Sequence, residues 1–177
     1  MHPSSRSELS TLHRVVTGRA VVLGDDVDSF ALVARRARRV PAPALLGRHL
    51  LRSVRPDLAG ELRPGDVLVA GRNFGYRVYR EHALMALLGA GVRCVVATSF
   101  ARSFVRLGAA HGLTLLEAPD AVKAIADGDR LRVDLETGRI EDLTHAGTFR
   151  ARPGAGTLSA EPRSTDAQAV NAVEGVA

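Results

Sequence analysis

The sequence has 177 residues, of which 46% are hydrophobic, and a formal net charge of +5 at pH 7. This length and composition predict an ordinary globular chain with a single hydrophobic core. Aromatic residues make up only 4% and acids are interspersed among the bases, which argues against a nucleic-acid-binding surface, where basic residues cluster or alternate with stacking aromatics.

The sequence contains no run of about 18 apolar residues, the length that a membrane-spanning helix needs. Its first dozen residues also lack the charged start and apolar middle of a signal peptide. We therefore expect a cytoplasmic protein without a membrane segment.

The single cysteine, Cys94, lies in the apolar run Val92-Arg93-Cys94-Val95-Val96, which predicts a buried strand and a plain core thiol. One cysteine cannot hold an iron–sulfur cluster or a structural zinc ion by itself. If a metal takes part in the function, another chain must supply it.

The two ends of the chain differ in composition from the middle. Residues 1–12 are polar, and residues 151–177 are rich in Ala, Gly, Pro, Ser and Thr with almost no large apolar side chains. Such segments bury too little surface to offset the entropy of ordering. The sequence predicts a flexible tail over 1–12, one domain over 13–150 and a disordered tail over 151–177.

The domain begins with two short apolar runs, 15–16 and 20–23, which predict strand and end at Gly24-Asp25-Asp26, where we expect a functional loop to begin. The next apolar segment, 44–51, has four leucines at helical spacing. These leucines are Leu45, Leu46, Leu50 and Leu51.

The middle of the domain alternates strand and helix, which predicts parallel strand pairing. Ser99 is the expected N-cap of the second helix and Gly112 its end. The predicted elements are strand 67–70, helix 80–88, strand 92–97, a helix after Ser99 with Phe100, Phe104 and Leu107 on one face, and strand 113–116.

The last part of the domain, 130–150, has a different pattern. Leu131, Val133 and Leu135 alternate with polar residues, and Glu136-Thr137-Gly138-Arg139 is typical of a hairpin turn. We expect antiparallel strands here.

The loop 71–83 carries the strongest functional signal, because it runs from a buried strand into a helix. The first N–H groups of a helix are unpaired and suit a carboxylate or phosphate. Arg80 is a cation in the first turn, where the helix dipole disfavours it. A bound anion would explain Arg80, but so would an ion pair with Glu81 or another surface acid. His82 is as compatible with packing as with catalysis.

Several motifs lie between about Val16 and Arg150. They are Asn73-Phe74-Gly75, Arg80-Glu81-His82-Ala83, Ala97-Thr98-Ser99-Phe100-Ala101-Arg102-Ser103-Phe104, the aspartate-rich segment Gly24-Asp25-Asp26-Val27-Asp28-Ser29 and the arginine motif at Ala34-Arg35. In order and spacing, these motifs resemble the small subunits of isopropylmalate dehydratase and homoaconitase, in the aconitase superfamily.

This resemblance implies an α/β fold, the swivelling β/β/α domain with a mixed sheet and C-terminal antiparallel strands. It implies a larger partner subunit that carries a four-iron–four-sulfur cluster, and a hydro-lyase reaction that moves water between adjacent carbons of a hydroxy di- or tricarboxylic acid, as in leucine biosynthesis. By motif alignment, Arg35 and Arg80 would bind substrate carboxylates. Arg38 falls where a homoaconitase-type arginine reads the variable end of the substrate.

The sequence departs from this family at the catalytic base. The family loop has glycine-serine-serine before the arginine, and the first serine acts as the base, whereas this chain has Arg77-Val78-Tyr79. Val78 has no ionisable group. Tyr79 or Tyr76 could supply a phenolate stabilised by neighbouring cations, the partner could supply a base for a changed reaction, or catalysis could be lost.

Two functions therefore remain open from the sequence: a hydro-lyase subunit that works with a large subunit, and a catalytically inactive homologue that acts as a binding or regulatory module. A third interpretation, an arginine-rich RNA-binding protein, rests on net charge and on the RNA-binding role of some aconitase relatives.

Overall fold

The structure is a computed structural model that describes residues 14–34, 37, 39–40, 42–58, 60–77 and 80–152. Within these ranges, no helix combines the length and the apolar character needed to cross a membrane. The described residues form one seven-stranded mixed sheet with helices against it.

Four neighbouring strands form the parallel half of the sheet, in the order β4-β3-β2-β1. All residues of the second and third strands are buried, as expected for parallel strands covered on both faces. The four strands are β1 (Val15–Val22), β2 (Val67–Ala70), β3 (Cys94–Ala97) and β4 (Thr114–Glu117).

Helices connect these strands, and the two longest occupy the crossovers between parallel strands. The predicted helix at 80–88 is confirmed and ends one residue later, at Gly89. The helices are α1 (Ser29–Leu32), α2 (Pro43–Gly47), α3 (Arg80–Gly89), α4 (Arg102–Ala110) and α5 (Pro119–Ala124), with a 3-10 turn at Pro56–Leu58.

The antiparallel half continues from β1 through β5 (Arg130–Asp134), β6 (Arg139–Asp142) and β7 (Gly147–Arg150). In β5, exposed and buried residues alternate, which places one face on the core and the other in solvent. The predicted hairpin at 136–139 is confirmed as the β5–β6 connection.

Two apolar cores lie on the two faces of the sheet. The first lies between the parallel half and helices α1 to α4 and includes Phe74 and Phe104. The second contains Val67 from the parallel half together with Leu131 and Ile140 from the antiparallel half. Because both halves contribute to one core, the sheet is curled, and the mixed β/β/α architecture implied by the resemblance is confirmed.

Some local predictions were wrong. Ser99 does not cap α4, because its hydroxyl accepts a hydrogen bond from the backbone N–H of Asn73. The N-cap residue is Ala101, which makes no side-chain hydrogen bond. The leucine segment is not one helix, because α2 ends at Gly47, and Leu45 within α2 is 46% exposed. The predicted strand material at 15–16 and 20–23 is confirmed: both runs belong to one continuous strand, β1, which ends at Val22 just before Leu23.

Candidate functional site

The loops after β1, β2 and β3 meet at the carboxyl edge of the parallel strands, the usual ligand-binding edge of such sheets. The N–H of Gly71 donates to the carbonyl of Gly24 at 3.1 Å, and the N–H of Phe74 donates to the carbonyl of Ser99 at 3.0 Å. The loop predicted to begin at Gly24 therefore packs directly against the glycine-containing loop at 71–77.

An ion pair fixes the base of this loop cluster. Both Nε and Nη2 of Arg72 donate to Oδ2 of Asp25, at 3.1 and 2.8 Å, and the backbone N–H of Arg72 donates to Oδ1 at 2.8 Å. These hydrogen bonds lower the pKa of Asp25, the backbone bond most strongly. Only glycine fits at Gly71, because a Cβ there would overlap the Asp25 carboxylate.

Two residues at the tip of the cluster have left-handed backbone conformations that favour glycine. Asp26 has φ of 54° and Asn73 has φ of 59°. Asn and Asp tolerate this region better than other residues because their short polar side chains bond locally. Here Nδ2 of Asn73 donates to Oδ1 of Asp26 at 3.0 Å, so the two loops hold each other in this conformation.

An aromatic group supports the cluster from below. Phe74 is fully buried and makes edge contacts with Phe100 and Phe104, at ring-centroid distances of 6.0 and 5.7 Å. Gly75 follows with φ of 78°. The Asn73-Phe74-Gly75 motif therefore turns the chain and anchors it in the core just before α3.

Arg80 is the first residue of α3 and is partly exposed. Its Nη1 donates to the carbonyl of Arg77 at 2.8 Å. No carboxylate of the described residues pairs with Arg80, so the alternative in which Glu81 satisfies its charge finds no support there. One bond uses one of five guanidinium N–H donors, and the rest of the fork can bind an oxyanion.

The other predicted site residues have different outcomes. Tyr76 is partly exposed, and the guanidinium carbon of Arg77 lies 5.4 Å from its ring centroid. Tyr76 therefore has a neighbouring cation, as the sequence predicted. The remaining predicted residues, Arg35, Arg38, Val78 and Tyr79, lie outside the described residues. The meeting of Arg35 with Arg80 stays a prediction.

The predicted core position of Cys94 is confirmed. The thiol is fully buried in the second core, and burial raises its pKa to about 12. An iron–sulfur cluster needs several cysteine ligands, and the sequence contains only this one. The residues of this chain therefore do not fit a cluster.

A further cluster of ionisable groups was missed by the sequence analysis. Nδ1 of His145 lies 3.2 Å from Oδ2 of Asp142 and 3.3 Å from Oδ2 of Asp129. The three residues have metal-ligand chemistry, but the carboxylates also accept backbone N–H groups, from Thr144 and Ala126. They form an ion-pair cluster, which only the pairing of β5 with β6 brings together.

Comparisons with known proteins agree with this architecture. Residues 56–120 match the model of the aconitase C-terminal domain. Relatives include the 3-isopropylmalate dehydratase small subunit of Methanosarcina mazei, 45% identical over 77% of this chain and 83% of its own length, and the isopropylmalate/citramalate isomerase small subunit of Methanocaldococcus jannaschii, 38% identical over 75% and 79%.

A solved structure gives the same result at the level of the fold. The crystal structure of 3-isopropylmalate dehydratase from Methanocaldococcus jannaschii superposes with a TM-score of 0.74 at 33% identity, covering 78% of this chain and 81% of that one. Both the fold and the sequence match extend well beyond the local motifs. The chain belongs to the family of 3-isopropylmalate dehydratase small subunits.

Proposed function

We propose that this chain is the small subunit of a hydro-lyase that dehydrates and rehydrates a hydroxy di- or tricarboxylic acid together with a large subunit. The observation that carries the proposal is Arg80, a partly exposed cation at the start of a ten-residue helix, without a carboxylate partner among the described residues. The relatives' name, small subunit, supports a large partner.

The chemistry of Arg80 suits a substrate carboxylate. A guanidinium binds a carboxylate through two parallel, charge-assisted hydrogen bonds, and the positive end of the α3 dipole favours an anion at the same place. The family resemblance implies the same role for Arg35, and for Arg38 a contact with the variable end of the substrate. The four-iron–four-sulfur cluster belongs on the large subunit, because this chain has a single cysteine and its thiol is buried.

The catalytic base is proposed separately, since Val78 cannot replace the usual serine. Tyr76 and Tyr79 are the candidates on this chain. The Arg77 guanidinium carbon lies 5.4 Å from the centre of the Tyr76 ring. If neither tyrosine acts, the base comes from the partner, or the chain is an inactive homologue that binds or regulates.

The test is reconstitution. The chain would be co-expressed with its large subunit, the cluster rebuilt anaerobically, and turnover measured with isopropylmalate, homocitrate, citrate and related acids. Turnover of any of them confirms a hydro-lyase and excludes the inactive module. A complex that binds one of these acids without turnover would instead support the module, and Tyr76→Phe would test the phenolate.

Arg80→Ala is predicted to lower kcat/KM by roughly 30- to 150-fold, because the loss of charge-assisted hydrogen bonds to a carboxylate costs about 2–3 kcal/mol. Arg106, an exposed arginine on α4, supplies the matched control: Arg106→Ala should leave the kinetics unchanged. Unchanged kinetics in a folded Arg80→Ala variant would remove Arg80 from the site.

Substrate choice is predicted to depend on Arg38. The segment Arg36-Ala37-Arg38-Arg39 would place cations around the variable end of the substrate, and burying them against an isopropyl group is costly. We expect a substrate with an added anionic group. Arg38→Val should weaken a tricarboxylate and improve isopropylmalate, measured as the ratio of kcat/KM values, and a wild-type preference for isopropylmalate contradicts the proposal.

A further inference from the structure

Arg77 has a backbone conformation that its residue type disfavours. Its φ is 73°, in the left-handed region where the Cβ of an L-residue is crowded and glycine is preferred. Arginine, unlike Asn or Asp, has no short side chain that bonds its own backbone there. The contacts of Arg77 must therefore hold this conformation.

The side chain of Arg77 is held by Asp28. Its Nε lies 3.1 Å from Oδ2 of Asp28, whose side chain is only 17% exposed. The other carboxylate oxygen of Asp28 accepts the N–H groups of Phe30 and Ala31, at 2.9 and 2.7 Å, and so caps α1. Asp28 is fixed from both sides, which makes it a rigid partner for the exposed arginine.

The backbone next to Arg77 is also held by the first loop. Both the N–H and the hydroxyl of Ser29 donate to the carbonyl of Tyr76, at 3.2 and 3.1 Å. The next carbonyl, that of Arg77, accepts Nη1 of Arg80 at 2.8 Å. The direction of the Arg77 carbonyl depends on the φ of Arg77. An ion pair that holds this φ therefore also holds the carbonyl that Arg80 contacts.

We propose that Arg77 is a positioning residue: its ion pair with Asp28 keeps the Arg77 carbonyl aimed at Arg80, and thereby holds the Arg80 guanidinium ready for a carboxylate. This inference rests on the proposed function, in which Arg80 binds substrate. The ion pair orients Arg80 before substrate binds. Its loss therefore weakens substrate binding more than it slows the reaction of the bound substrate.

Two variants separate positioning from folding. Arg77→Gly removes the ion pair, and glycine permits the positive φ without fixing it, so the fold is kept while the carbonyl of residue 77 is no longer held toward Arg80. Asp28→Asn removes the charge but keeps a good N-cap for α1. In the reconstituted complex each should raise KM about tenfold, the size of one positioning hydrogen bond, with kcat changed much less. Glu136→Gln, which breaks the distant surface pair with Arg14, should leave KM unchanged.

Coupling to Arg80 provides the decisive readout. In an Arg80→Ala background, Arg77→Gly should have no further effect on KM, whereas a structural role of Arg77 would give additive losses. Where the complex does not turn over, calorimetric Kd values for citrate and isopropylmalate replace KM. The NMR signals of the Arg80 guanidinium in the free chain should show slowed rotation in the wild type and fast rotation in Arg77→Gly.

The outcomes distinguish the two proposals. If Arg80→Ala is silent, or if no acid binds, the proposed function fails and the positioning role fails with it. If Arg80→Ala weakens binding while Arg77→Gly and Asp28→Asn are silent, Arg80 stays in the site and the positioning role is wrong.

Discussion

Gly75 lies where the loop after β2 passes over the ring of Phe104, and a Cβ at this position would overlap that ring. Gly112 has nearly the same backbone conformation, with φ of 76° against 78°, but open space around it. The two glycines therefore separate the cost of positive φ from the cost of overpacking.

Gly112→Ala is predicted to lower the free energy of unfolding by about 1–2 kcal/mol, the cost of a Cβ in the left-handed region. Gly75→Ala should cost a further 1–3 kcal/mol or so, because the Phe104 ring must move in a packed core. Urea unfolding of both variants measures the difference. Equal losses of unfolding free energy in the two variants would mean that the Phe104 ring moves aside without cost.

The sequence shows some of these site residues and hides others. Arg80 could be singled out because a cation at a helix start is unfavourable on local grounds. The hydrogen bond from Asn73 to Asp26 and the ion pair between Asp28 and Arg77 could not, because each joins loops far apart in the chain. Only the fold brings these loops to one edge of the sheet.

At the scale of elements, the turn between β6 and β7 is fastened by His145, which lies between the carboxylates of Asp142 and Asp129. The hydrogen bond to Asp142 and the charge of Asp129 raise the pKa of His145. Burial raises the pKa of Asp142, but backbone N–H groups and His145 outweigh it and the net shift is downward.

These shifts fix the sign of a pH effect. A histidine with a raised pKa stabilises the fold fully below its unfolded value of about 6.5, and this contribution is lost as pH rises through the folded pKa. His145→Gln should therefore lower the urea midpoint at pH 6 and have little effect at pH 9. The side chain is 63% exposed, so the effect is modest.

The control for this measurement is His111, whose ring bonds the backbone carbonyl of Leu107 and no carboxylate of the described residues. His111→Gln should leave the pH profile of the urea midpoint as in the wild type. A His145→Gln profile parallel to that of the wild type from pH 6 to pH 9 would show that the cluster does not couple to folding.

Secondary structure was predicted best where the apolar pattern alone decides it, as in β2, β3 and the hairpin of β5 with β6. The N-cap of α4 was wrong because Ser99 has two possible backbone partners, and the more distant one, Asn73, wins in the folded chain. The short helix α5 was missed although Pro119 at its first turn and Lys123 at its last are typical helix-end signals.

At the scale of the whole molecule, the curled sheet brings its two edge strands together. After β7, the N–H of Ala151 donates to the carbonyl of Gly138 at 2.9 Å, and the N–H of Arg152 donates to that of Glu117 at the end of β4, at 2.8 Å. Ala151 is buried in the second core. The sequence placed the domain boundary after 150, but these contacts continue through 152.

Two truncations test where the folded unit ends. Removal of residues 153–177 is predicted to leave the free energy of unfolding unchanged, because that segment has almost no large apolar side chains to bury. Removal of 151–177 should cost about 1–3 kcal/mol more, since two backbone hydrogen bonds are lost and the apolar contact of Ala151 with the second core is removed. Urea unfolding of the two shortened chains and the full chain gives both values, with hydrogen exchange at Gly138 and β4 as a local readout. If the chain that ends at Arg152 already loses as much free energy of unfolding as the chain that ends at Arg150, part of the fold lies beyond Arg152. If all three chains have the same free energy of unfolding, the contacts between the edges of the curled sheet contribute nothing to its stability.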